Sequence, residues 1–417
     1  MASKTAKWLC CQLGAREHYA IPRALFRLNL LDRLVTDAWV RPSSFLGRLA
    51  ESKFADRFHN ELSGSCVAAF NSSLILFELL AHARRLGEWE KITARNRWFQ
   101  HNVFSFLRSE LTALSSELIL LSYSYTALEP FRYARSCGWK TVLVQIDPGP
   151  EEERIVAEEV VRVPALAGRW KLAPAKYWAS WREECDLADA VVVNSEWSRE
   201  GLIRSGVPGE KLSVVPLAYE AAAAFSDKPA AQEIGMKYAR TYPARFSKER
   251  PIRVLFLGQV NLRKGIARLL DAARILRDEP VEFWIVGPIQ ITNAKKIAIA
   301  PQVKWFGSVK RSEAAEKYRA ADVFILPTLS DGFAITQLEA QAHGLPVISS
   351  KCCGTVVENG RNGIVLEEPS AGCIAAAIRD CLADPNRLQN LASTSRVAKE
   401  FTIEAFGKRL AELGTTL

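Results

Sequence analysis

No apolar run in this 417-residue chain reaches membrane-spanning length, which argues against a transmembrane bundle. The opening MASKTAKWLCCQLG has too short an apolar core for a signal peptide, so the expected location is cytoplasmic. The nine cysteines contain no C-x-x-C; their odd, scattered placement speaks against a disulfide framework and a zinc site. The adjacent pairs Cys10/Cys11 and Cys352/Cys353 suit a relaxed disulfide poorly and read as small buried side chains. No repeat of solenoid length is present. No D-x-D stands near a strand end to hold a metal-bound diphosphate, so no metal ligand is assigned.

What is present suits a globular protein of more than one core. Hydrophobic residues make up 48% of the chain, and its length favours two domains. The net charge of +9 admits an anionic nucleotide-sugar, an acidic membrane surface or nucleic acid. Basic and aromatic residues mingle from Arg84 to Arg108, which reads first as a helical layer with a solvated basic face. A peripheral contact with an anionic membrane, at the inner face of the cell membrane, is the second reading. Nucleic acid is set aside because no binding module accompanies the charge.

The pattern of elements is α/β. The strand-like AKWLCCQL precedes a turn at Gly14 and a helix near Ile21 to Leu31, and residues 43–121 read as a helical elaboration. Glu117–Tyr123, Thr141–Ile146 and Ala190–Asn194 read as parallel strands of a first doubly wound domain. EAAAAFSDKPAAQEIG, from Glu220, is a plausible linker. A second alternating series runs through IRVLFLG, VEFWIVG, VKWFG, VFILP and PVISS.

Two segments of the second series carry chemistry. In SDGFAITQLEAQAHGLPVI, Ser330 to Ile348, an apolar strand leads into a loop and then a helix, with Asp331 on the loop and Glu339 on the helix. Gly332 lets the backbone approach a ligand closely, and the amides of Phe333, Ala334, Ile335 and Thr336 at the helix start form a natural anion site. In LFLGQVNLRKGIARLLDAARIL, a strand ends at Gly258, and a basic loop carries Gln259, Arg263 and Lys264 to a helix after Gly265.

Together these segments resemble the retaining GT-B glycosyltransferases of family four, glycosyl transferases group 1, and the resemblance extends in patches from about Trp181 to Phe406. It includes CDLADAVVVNSEWSREGLIRSGVPGEKLSVVPLAYE, where Ser195 reads as a helix N-cap and Gly206 as a stop. The resemblance implies two Rossmann-like domains facing a cleft: residues 1–220 on the acceptor side, 221–395 on the donor side, and a C-terminal helix within 396–417 crossing back. It places the first acid, usually Glu and here Asp331, near the donor sugar, and Glu339 on the nucleotide ribose. Lys264 falls where the family sets a lysine against the donor diphosphate. Gln259 takes the place of the usual arginine beside Gly258, which leaves Arg263 as the nearest second cation.

Relatives often carry a histidine after a late strand of the first domain. Here that place holds Asp147, an acid facing the cleft or a turn residue before Pro148. The loop after the first strand offers Gly14, Arg16, Glu17 and His18 to the acceptor, while His343 reads as packing at a helix end. The implied activity is transfer of a sugar from a nucleotide-diphospho-sugar to a glycan, lipid-linked or small-molecule acceptor, with retention and without metal or other cofactor. Two alternatives stay open: a sugar-nucleotide epimerase of the same fold, and a non-catalytic nucleotide-sugar sensor.

Overall fold

Short apolar runs rich in Val, Ile and Leu bury both faces of a strand, and such strands pair in parallel beneath helices. In a computed structural model, which describes residues 6–44, 56–110, 118–220, 240–292 and 301–417, these runs form two parallel sheets. The first contains β1 (Lys7–Gln12), β2 (Leu31–Thr36), β3 (Val67–Ala69), β4 (Leu118–Tyr123), β5 (Lys140–Gln145), β6 (Ala190–Val193) and β7 (Leu212–Val214). Their order is β3-β2-β1-β4-β5-β6-β7. The second contains β8 (Ile252–Leu257), β9 (Val281–Val286), β10 (Val303–Gly307), β11 (Val323–Leu326), β12 (Val347–Ser349) and β13 (Gly363–Val365), in the order β10-β9-β8-β11-β12-β13.

Both orders reverse direction once, between β1 and β4 and between β8 and β11. Crevices open at such switch points, outside the carboxyl ends of the strands. The loops after β1, β8 and β11, which hold most of the residues singled out above, therefore emerge at the two crevices.

Several elements differ from the sequence reading. The helix expected to Leu31 is Ala20–Arg27; Asn29 then takes a left-handed turn (φ 55°), and Leu31 opens β2. That strand was missed because Asp32 and Arg33 interrupt its apolar pattern. The 43–121 region is largely helical in its described part, with one addition. Its described part adds the three-residue edge strand β3 to the sheet before the helices Asn71–Ala83 and Glu88–Glu110. The proposed linker lies outside the described residues beyond Glu220.

In Glu88–Glu110 the apolar stripe Phe99, Val103 and Leu107 is fully buried, leaving Lys91, Arg97 and Arg108 in solvent. Ser195 does cap its helix by accepting from the Ser198 amide, and Gly206 (φ 85°) follows the helix end. All nine cysteines are free, with Cys10, Cys11 and Cys353 buried. The last helix, Ile403–Thr416, lies on Ala20–Arg27: Gly407 faces Ala24 and Leu28, and Gly414 faces Trp8. Among the described residues no helix is long and apolar enough to cross a membrane.

Candidate active site

Two loops of the second sheet are laced together at its switch point. Gly265 has φ 74°, and a Cβ there would stand 1.9 Å from the Pro327 carbonyl oxygen, so only glycine lets the loops after β8 and β11 touch. The Leu329 amide donates to the Arg263 carbonyl at 2.8 Å, and Thr328 Oγ1 donates to the same oxygen at 3.1 Å. This lacing sets the Lys264 ammonium on the Asp331 carboxylate. Arg263 lies 3.6 Å from the same Asp331 oxygen and 3.5 Å from Glu152 across the crevice. Burial pushes the Lys264 ammonium down and Arg263 adds to that push, while Glu152 opposes it.

The first domain closes on this cluster through backbone and side-chain contacts. A Cβ on Gly332 would sit 2.0 Å from the Ile146 carbonyl oxygen. The close approach that Gly332 permits here is to the backbone of the other domain. Ser195 Oγ donates to the Gly332 carbonyl, and Trp197 Nε1 donates to Ser330 Oγ at 3.2 Å. Ser330 Oγ in turn donates to Glu152 at 3.0 Å.

Between the domains lies a cavity of about 560 Å³. Arg16, Glu17, His18 and Asp147 line it from the first domain; Arg263, Lys264, Asp331, Phe333 to Thr336 and Glu339 line it from the second. Gly14, Gly258 and Gln259 do not reach it. The Gly14 amide instead donates to Asp37 at 3.0 Å, and Gly258 packs against Gly287. The motif helix starts only at Thr336 and has seven residues, so Phe333, Ala334 (φ 64°) and Ile335 belong to an irregular turn before it.

Individual side chains are held firmly. Asp147 Oδ1 accepts from Tyr125 Oη (2.7 Å), Gln145 Nε2 (2.8 Å) and the Gly149 amide (2.9 Å), which fixes its carboxylate at the cavity wall. Buried Glu184 accepts from the amides of Tyr125 and Ala127 and so anchors the loop after β4. Glu339 accepts from Tyr318 Oη at 2.8 Å. The Tyr318 ring stacks on His343, whose Nδ1 lies 2.8 Å from the Glu339 carbonyl, so His343 packs behind the site. Glu17, His18 and Tyr19 are consecutive residues with positive φ. Such strain persists only where surrounding structure enforces it. Burial pushes the Glu17 carboxyl up, against Arg16; burial and then Arg311 push the His18 imidazole down.

Sequence reasoning missed Glu152, Arg311 and Asn194, all on the cavity wall. Glu152 belongs to PGPEEE, where three consecutive acids open a helix, and only the helix phase shows which of them reach the space between the domains. Burial pushes the Glu152 carboxyl up to about 7, with Arg263 opposing and Asp147 adding. Arg311 stands outside either motif and carried no signal. Among the described residues no group of three or more His, Cys, Asp and Glu side chains is placed to hold a metal ion.

Comparison with known proteins bears on the fold and on the second domain. Residues 251–384 match the family model for glycosyl transferases group 1. D-inositol 3-phosphate glycosyltransferase 2 of Catenulispora acidiphila is 29% identical over 224 residues, covering 49% of this chain and 50% of that protein. The chain spans about half the length, or less, of the curated relatives it matches. Sucrose-phosphate synthase of Thermosynechococcus elongatus has a TM-score of 0.65 at 16% identity, with 98% of each chain covered. HepE of Anabaena, in complex with UDP and glucose, has a TM-score of 0.59 at 15% identity, covering 99% of this chain and 100% of that one. The chain thus has the GT-B fold, and its second domain, over residues 251–384, matches glycosyl transferases group 1.

Proposed function

We propose that this protein is a glycosyltransferase that moves a sugar from a nucleotide-diphospho-sugar to an acceptor hydroxyl, with retention and without a metal ion. The observation that carries the reading is the Lys264–Asp331–Arg263 cluster at the second sheet's switch point, facing Asp147 across a single cavity. A diphosphate fits against Lys264, Arg263 and Arg311, with the backbone of Phe333 to Thr336 beside it. Glu339 would accept hydrogen bonds from the ribose, and the sugar would lie between Asp331 and Asp147.

In the transfer, the bond between the anomeric carbon and the phosphate oxygen breaks and its electron pair leaves on that oxygen. The acceptor oxygen bonds to the same face of the anomeric carbon, and its proton passes to the departing phosphate. Negative charge grows on the leaving group during this step, where fixed cations are worth most. The UDP bound in HepE makes uridine diphosphate sugars the first donors to try. Contact with an anionic membrane is supported by Asn71–Ala83, which exposes Leu76 (58%) and Leu79 (63%) shortly before the exposed Arg84 and Arg85.

A thermal-shift screen over nucleotide diphosphates and their sugars tests the donor site, because a ligand at a hundred times its dissociation constant stabilises by about 2.7 kcal/mol. Donor hydrolysis by the purified protein, undiminished in EDTA, is the expected next result. Binding without turnover would favour the sensor, and exchange at a sugar stereocentre the epimerase.

A further inference from the structure

A second cavity, of about 590 Å³, adjoins the first and shares Asp147, Glu152 and Arg263 with it. Its volume falls within the roughly 300–1,000 Å³ usual for small-molecule sites. The first domain supplies an aromatic wall. Tyr125 and Tyr177 stack at 4.7 Å between ring centroids and 18° between planes, and Trp89 meets Tyr177 edge-on at 5.0 Å. Trp178 stands at 76° to Tyr177, 5.1 Å away.

These rings are fixed by hydrogen bonds as well as packing. Trp178 Nε1 donates to Glu153 at 2.7 Å, and Trp89 Nε1 donates to the Lys171 carbonyl at 3.1 Å. The loop carrying Trp170 is pinned to the second domain, because Thr292 Oγ1 donates to the Ala165 carbonyl at 2.9 Å. Trp170 also lines the cavity and is 36% exposed. The cavity is therefore a built space with walls from both domains.

Its chemistry is unlike that of the first cavity. Four carboxylates line it against the three cations Arg169, Lys171 and Arg263, a balance that does not favour a phosphate. Flat aromatic faces alternating with carboxylates and amides match a pyranose ring, which has an apolar C–H face and a rim of hydroxyls. We propose that this cavity is the acceptor subsite and takes a neutral saccharide unit, its ring against the aromatic side chains of Trp89, Trp170, Tyr177 and Trp178 and its reacting hydroxyl directed past Asp147 into the first cavity. The assignment rests on the glycosyltransferase reading above. The saccharide can be free or the end of a lipid-linked glycan, since only the sugar unit is recognised here.

The test uses the full chain, titrated with methyl glucoside, methyl galactoside, methyl mannoside, maltose, cellobiose and glucose 6-phosphate and read by tryptophan fluorescence. Each titration is run with and without saturating UDP, whose own affinity is measured by calorimetry. At least one saccharide should bind saturably in the presence of UDP. Trp170→Ala and Trp89→Ala should each weaken that binding by about tenfold, as loss of a stacking ring predicts, and leave UDP affinity unchanged. UDP affinity serves as the control for folding, and the partly exposed Trp170 is the safer of the two substitutions. If UDP binds and no saccharide does, or if UDP displaces the saccharide, the acceptor assignment is overturned. Preference for glucose 6-phosphate over every neutral sugar would also overturn it. Failure of every nucleotide to bind would instead count against the glycosyltransferase reading, and saccharide binding alone would leave the second cavity a sugar site. Adding the preferred sugar on short-chain and long-chain lipid aglycones distinguishes free from lipid-linked sources.

Discussion

Lys264 rests its ammonium on the Asp331 carboxylate, and the two residues come from different loops that meet only because Gly265 lacks a side chain. Asp331 thereby holds the cation in place before any phosphate arrives. In the proposed reaction a bound diphosphate would share the cation with Asp331 and meet a site already ordered, which is the condition for electrostatic stabilisation without reorganisation at the moment of reaction.

Lys264→Ala should lower turnover by about a hundredfold or more, by analogy with loss of one oxyanion donor, and more than it raises the Michaelis constant. Lys264→Arg should restore only part of the rate, because a planar guanidinium does not replace a compact ammonium in a tight loop. Steady-state kinetics with donor and acceptor decide this; unchanged turnover with a raised Michaelis constant would make Lys264 a binding residue alone.

Glu339→Ala should cost nucleotide affinity by about 1.5–3 kcal/mol, the worth of hydrogen bonds to a charged group. Tyr318 Oη, which donates to Glu339, loses its partner as well, so Tyr318→Phe is the control for that secondary effect. Calorimetry on the folded variants gives the result; wild-type affinity in Glu339→Ala removes this carboxylate from the donor site.

Gly332→Ala pushes a methyl to within 2.0 Å of the Ile146 carbonyl oxygen, which is backbone and cannot rotate away. Each sheet keeps its own core, so the main loss should be of the closed arrangement: activity falls steeply and the radius of gyration in small-angle scattering rises. Wild-type activity in this variant would show that the contact is not part of the working state.

Glu152 gives a pH signature. Burial pushes its carboxyl from 4.5 up to about 7, so across that interval the folded protein binds this proton more tightly than the unfolded chain. Its contribution to stability is complete below about pH 4.5 and is lost as pH rises to about 7. Glu152→Gln should flatten the fall in melting temperature over that window. Equal slopes in the two proteins would place the proton elsewhere.

Leu76→Ser with Leu79→Ser should abolish sedimentation with anionic phospholipid vesicles while leaving nucleotide affinity intact. These side chains are among the most exposed apolar groups of the first domain, and a polar exchange there removes the area that would enter the interface. Equal sedimentation of wild type and variant would place any membrane contact on another surface.

The strands β1, β4, β5, β6, β8, β9, β11 and β12 were legible as apolar runs, because burial on both faces leaves a pattern that needs no neighbours to interpret, and the edge strand β10 was legible from its place in the alternating series. Asp331, Glu339 and Lys264 were legible because each stands at a set offset from a strand end and a glycine. Strands β2, β3 and β13 were not, being short or interrupted by charge, so their place at or near a sheet edge follows from what they pair with. The sequence by itself thus determined the α/β class and the two motif loops, which depend on local spacing. Only the tertiary structure decided that Gly332 meets Ile146, that Glu152 meets Ser330 across the crevice, and that aromatic residues between Trp89 and Trp178 gather beside Arg263. Those relationships join residues far apart in the chain, where no periodicity or short motif records which side chains will face one another.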